Sequence, residues 1–141
     1  MTNGRTKGAS AERELAAAIG AELGVRLVRN LEQPRDGGRD LDVHPEEAGA
    51  VADVLRCWAI EVKRHARATP ALLRAWWQQT QAQAAAVSRL PALAYRADRG
   101  PWRVVVPLAE LRPGLPSWHG WDWPAELSLP GFCALVRETT T

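Results

Sequence analysis

One α/β domain, with helices flanking a mixed β-sheet, is the architecture this sequence predicts, on three observations. Two long stretches, around residues 8–24 and 70–87, repeat their apolar side chains at helical spacing. The segments between and after them are short and alternate apolar with polar residues, as half-buried strands do. The resulting order of helix, strand, strand, strand, helix, strand, strand suggests a mixed sheet with helices packed on it.

The first element, "GASAERELAAAIGAELG", is an amphipathic helix with Ser10 as its expected N-cap and Gly24 as its stop. At about 100° per residue, Leu15, Ile19 and Leu23 share a stripe on which Glu12 also lies, whereas Glu14 falls on the opposite, solvent side. The helix dipole favours a carboxylate in a first turn, which accounts for the charge of Glu12 but not for its inward azimuth. "VRLVRN" follows as a short strand, then the turn-rich loop "LEQPRDGG". "RDLDV" is the second strand, with Leu41 and Val43 on one face and Asp40 and Asp42 on the other. Residues 44–55 are expected to form a loop or local insertion.

Residues 57–63 form the third strand and carry an unusual alternation. Trp58, Ile60 and Val62 make one face bulky and apolar, while Glu61 and Lys63 share the other with Ala59. After "HARATP" a second helix runs to about Val87, with Thr69 as its cap and Pro70 at its first position. Leu73, Trp77, Thr80, Ala84 and Val87 form one stripe. Leu72, Trp76, Gln79, Gln83 and Ala86 form an adjoining one, which sets the two glutamines at the edge of the buried face. "PALAYRA" and "PWRVVVPL" are two further strands joined by the turn "DRG". The tail, residues 109–141, holds Trp118, Trp121 and Trp123 among Pro and Gly and is expected to be an irregular cover for the core.

Composition narrows the class. At 141 residues, 46% hydrophobic and 24% charged, the chain suits one soluble core. No apolar run approaches the ~20 residues that span a bilayer, and "MTNGRTKGASAERE" lacks a signal core, so a cytoplasmic protein is expected. Cys57 and Cys133 are far apart without ligand-like neighbours, and both are expected to be free, buried thiols. A net charge of +2 makes no global basic field, but Arg26, Arg29, Arg35, Arg39, Arg56, Lys63, Arg64 and Arg67 concentrate positive charge in one part of the chain. Of the 18 basic residues only Lys7 and Lys63 are lysines. In a chain that uses arginine wherever a positive charge suffices, Lys63 stands out as a compact ammonium whose chemistry differs.

Glu12, Asp40, Glu61 and Lys63 make a chemically coherent set. Asp40 and Glu61 project from strands expected to be neighbours, each opposite its strand's apolar residues. Three carboxylates converging in a partly buried site repel strongly unless a cation offsets them. An all-oxygen set suits Mg²⁺ or Mn²⁺, which would activate a water and stabilise charge on a phosphate oxygen. Lys63 beside such an ion would orient the water or neutralise the transition state. Other constellations are poor: His44, His65 and His119 are unspaced for a metal, although His65 falls within reach of a phosphate near Lys63. Ser10 and Ser88 have no base partner, and "RDGGRD" is neither a P-loop nor a dinucleotide motif.

The pattern "D…EVK", an acid on one strand and Glu-x-Lys on the next, resembles the PD-(D/E)XK nuclease superfamily. The ordered segments "KGASAEREL", "RLVRN", "GGRDLDV", "WAIEVKR", "WWQQTQAQA" and "PALAYRADRGPWRVVVPL" are similar to its archaeal Holliday junction resolvase branch and their phage-encoded relatives, over about residues 7–108. The resemblance implies a restriction-endonuclease-like fold in one domain, 1–141, with a core at about 7–108 and the tail, 109–141, outside that core. It further implies Mg²⁺-dependent cleavage of branched DNA, with Mn²⁺ able to substitute, by a homodimer that makes two symmetric cuts in recombination or repair. Residue by residue, it makes Glu12 the helix-borne acid of the metal site, Asp40 the first strand acid, Glu61 the second and Lys63 the catalytic lysine. Arg29, Arg39, Arg64, Arg67 and Gln79 are the expected DNA contacts. Arg39 stands where the family has proline, and Asp42 remains an alternative ligand on the same strand face. The rival readings are a nuclease of the same fold acting on flaps, ends or duplex, and an idle DNA-binding module.

Overall fold

Six strands form one sheet in the spatial order of the sequence: β1 (Leu27–Arg29), β2 (Leu41–Val43), β3 (Trp58–His65), β4 (Leu90–Ala97), β5 (Arg103–Pro107) and β6 (Pro124–Ser128). The computed structural model describes residues 4–31, 39–112, 114 and 123–139, with side chains from residue 8 onward. β3 and β4 run parallel, with Glu61 beside Leu93 and Lys63 beside Tyr95, and every other pair is antiparallel. A parallel pair needs a crossover, and α3 (Pro70–Ala86) supplies it. Thr69 caps α3 by accepting the Leu72 N–H at 3.2 Å, and Pro70 occupies the first turn, where a missing N–H costs nothing.

Alternation gives the sheet two unlike faces. Leu41, Ile60, Val62, Ala92, Ala94, Val104 and Val106 pack against Ala11, Leu15 and Ile19 of α1 (Gly4–Leu23), Leu55 of α2 (Ala50–Leu55) and Phe132, Cys133 and Val136 of α4 (Leu129–Glu138). The opposite face holds a smaller cluster, Leu93, Tyr95 and Val105 against Trp77, with Leu73 and Trp76 partly buried beside it. Glu61 and Lys63, opposite Ile60 and Val62, belong to this second face.

Several expectations are corrected. α1 begins at Gly4, so Ser10 lies inside the helix rather than capping it. Gly24 does end it, at φ +68, a conformation glycine adopts without a Cβ penalty, with its N–H donating to the Gly20 carbonyl at 2.8 Å. Residues 44–55 are not all loop, since α2 buries Ala52 and Leu55. Residues 124–138 of the tail are regular: β6 adds the sixth strand and α4 buries Leu129, Phe132, Cys133 and Val136. Cys133 is buried as expected, but Cys57 is exposed. The loop expected at 31–38 lies outside the described residues from 32 onward, as do Trp118 and Trp121. Among the described residues no helix is long and apolar enough to cross a membrane.

Candidate active site

The start of β2 is pinned to the middle of β3, and this pinning builds the site. The Asp40 N–H donates to the Ile60 carbonyl at 2.8 Å, and the Val62 N–H donates to Asp40 Oδ2 at 2.7 Å. The carboxylate of Asp40 is thereby oriented by backbone, and it is only 8% exposed. Glu61, 5% exposed, lies close enough for the Asp40 charge to bear on it. Lys63, the next residue on that face, brings its Nζ to 3.4 Å from Glu61 Oε1. Glu61 Oε2 is buried with no hydrogen-bond partner.

Two neighbouring buried carboxylates, of which only Glu61 pairs with an ammonium, are difficult to ionise together. Burial, then the charge of Asp40, pushes the Glu61 carboxyl up to about 8, with Lys63 opposing the rise. Burial is also the main cause raising Asp40, to about 6, against the Val62 hydrogen bond, and the Glu12 charge adds to the rise. The unpartnered Glu61 oxygen and the all-oxygen donor set fit a hard divalent cation. Asp40 and Glu61 are the residues that would hold it.

Glu12 approaches from α1, near enough for its charge to bear on Asp40, but its Oε2 accepts from Arg29 Nε at 2.6 Å. The expected three-carboxylate cluster is therefore a buried pair with a third acid held aside: among the described residues, no three His, Cys, Asp or Glu side chains are gathered for a metal. Asp42 is differently engaged. Arg39 Nη2 reaches its Oδ2 at 2.6 Å and Arg89 Nη1 its Oδ1 at 3.1 Å, so both oxygens are occupied by guanidinium groups.

The expected DNA contacts separate by environment. Arg29 and Arg39 are paired to Glu12 and Asp42. Arg67 and Gln79 are exposed. Arg64 stands beside Arg96 on the α1 side of the sheet, away from Lys63, and is held by Glu14 at 3.7 Å and Asp98 at 3.4 Å. Glu14 is thus not a solvent-facing carboxylate: Arg96 also pairs with it, and Trp102 Nε1 donates to it at 2.9 Å. Two arginines and an indole draw Glu14 onto the sheet, which helical periodicity could not reveal. Arg89 was likewise missed, because its link to Asp42 spans 47 residues and leaves no local mark in the sequence.

No curated protein matches the chain. Among solved structures it is similar to Hjc of Archaeoglobus fulgidus, a Holliday junction resolvase from an archaeal hyperthermophile, at 15% identity and a TM-score of 0.45, covering 94% of this chain and 88% of that one. Residues 3–116 match the family described as "Phage putative PDDEXK endonuclease", and the chain belongs to that PDDEXK endonuclease family.

Proposed function

We propose that this chain is a divalent-metal-dependent endodeoxyribonuclease with its active site at Asp40, Glu61 and Lys63, and that it cuts branched DNA as a homodimer, as Holliday junction resolvases do. One observation carries the reading: a buried Asp–Glu pair, one oxygen of it unpartnered, beside the ammonium of one of the chain's two lysines. A bound Mg²⁺, or Mn²⁺ in its place, would supply Lewis acidity toward a phosphate oxygen and a more acidic water. Asp40, fixed by the Val62 N–H, presents its carboxylate in one orientation. Glu61 supplies the second carboxylate, and Lys63 steers the water or offsets negative charge that grows on the phosphate. Glu12, paired to Arg29 at 2.6 Å, would complete the set only by giving up that ion pair, which would leave Arg29 available to a DNA phosphate.

The test is cleavage of four-way junction, flap and linear duplex DNA by purified protein, with and without Mg²⁺. Paired symmetric nicks in the junction, dependent on the metal, are expected. Comparable cutting of all three substrates would replace the junction reading with a general nuclease. Lys63→Ala is expected to lower cleavage by about 10²–10³, the usual cost of losing one preorganised stabilising group. Lys63→Arg should cut poorly as well, because a planar fork neither fits the place of an ammonium nor gives up a proton. Normal rates from both variants would overturn the mechanism.

A further inference from the structure

Beyond Lys63, β3 continues one pleat to His65, whose side chain shares the face of Glu61 and Lys63. The His65 ring is exposed and lies 6.1 Å from that of Trp76 on α3, tilted by 60°. Trp76 is in turn 6.3 Å from Tyr95, the residue beside Lys63 in the β3–β4 register. Each ring is held from behind. His65 Nδ1 lies 3.1 Å from the Arg67 carbonyl, which accepts its proton. The Tyr95 hydroxyl donates to the Glu126 carboxylate. Trp76 packs one side on the second cluster and remains only half-buried. A row of aromatic rings thus leads away from the catalytic lysine, and its outer member faces solvent. The apolar packing of this cluster does not require an exposed imidazole at its end.

We infer that His65 and Trp76 form a stacking platform for an unpaired DNA base adjoining the scissile phosphate. The substrate class is then DNA with unpaired nucleotides at the cut, such as a gap, a flap base or an open junction centre. This inference rests on the nuclease reading of the neighbouring carboxylates. Every base has a π-face, so a platform of this kind accepts unpaired bases without regard to sequence, whereas a base inside a duplex has both faces covered.

The experiment measures binding of fluorescein-labelled DNA in EDTA, where no cutting occurs, to a gapped duplex and to its fully paired counterpart. His65→Ala is expected to weaken gapped-DNA binding by about 5-fold or more, the lower end of the effect of removing one stacking side chain, and to leave paired DNA unchanged. His65→Phe should restore the preference. With 2-aminopurine at the unpaired position, the wild-type protein should quench its fluorescence and His65→Ala should not. Equal effects on both DNAs, or quenching that survives His65→Ala, would overturn the platform while leaving metal-dependent cutting intact. Loss of the reading of the neighbouring carboxylates has a separate signature: no metal-dependent cutting by the wild-type chain, or Asp40→Asn and Lys63→Ala cutting at the wild-type rate. Absence of any DNA binding by the wild-type chain would overturn both.

Discussion

Burial and the neighbouring Asp40 charge both oppose ionisation of Glu61, so its carboxyl titrates up to about 8 rather than at 4.5. A folded-state pKa above the unfolded one means that the folded chain holds a proton the unfolded chain has released. That stabilisation is complete below the unfolded value and is lost as pH rises through about 8. Asp40, raised from 3.8 to about 6, contributes the same sign over a lower window. Thermal melts of the metal-free chain should therefore show Tm falling from about pH 5 to about pH 8, and Glu61→Gln should flatten the decline. Mg²⁺ should raise Tm more at the alkaline end, because it competes there with fewer protons. A Glu61→Gln chain with the wild-type pH dependence would show that Glu61 is not the group responsible. At this scale the alternation of β3 made the shared face of Glu61 and Lys63 legible. Alternation alone does not separate Asp40 from Asp42, because a period of two puts both on one face, and it is the family pattern in "GGRDLDV" that favours Asp40. In the fold their surroundings differ: Asp42 is paired to Arg39 and Arg89, whereas Asp40 is buried and accepts the Val62 N–H.

Elements with strong local signals were read correctly, and those whose signals resemble breakers were not. Thr69–Pro70 announced α3, and Arg99 at φ 66 sits in the turn expected at "DRG". The tail, residues 109–141, reads as irregular because tryptophans stand in it among Pro and Gly, with Pro124, Pro130 and Gly131 among these. Each has a place in regular structure instead. Pro124 opens a strand at the sheet edge, where a missing N–H breaks no ladder. Pro130 stands in the first turn of α4, and the Gly131 N–H donates to the cap Ser128 Oγ at 3.1 Å. What reveals the tail as core is tertiary: Phe132 is 1% exposed and meets Trp58 edge-on at 5.3 Å. Phe132→Ala should accordingly destabilise the chain by about 3–5 kcal/mol in urea denaturation. A loss within about 0.5 kcal/mol, the range of ordinary surface changes, would mean that α4 is a detachable cover.

Across the whole molecule, a net charge of +2 means that DNA affinity has to come from where cations are free rather than from how many there are. Counting arginines along the chain treats Arg64 and Arg67 alike. The fold does not. Arg64 faces the α1 side and is neutralised by Glu14 and Asp98, whereas Arg67 is exposed on the loop that leaves the Lys63 face. An arginine already paired to carboxylates releases few counterions when DNA binds, because breaking its ion pairs offsets the gain. Each newly neutralised phosphate on duplex DNA contributes about −0.9 to the slope of log K against log salt. Arg67→Ala should therefore make the slope less steep by about 0.9, and Arg64→Ala should leave it unchanged while lowering Tm, since Glu14 and Asp98 lose a partner. Binding titrations from low to moderate salt, in EDTA, read both variants on the same DNA. A flatter slope from Arg64→Ala and none from Arg67→Ala would place the DNA on the α1 side of the sheet. The buried Asp40–Glu61 pair would then face away from the phosphates it is proposed to cut.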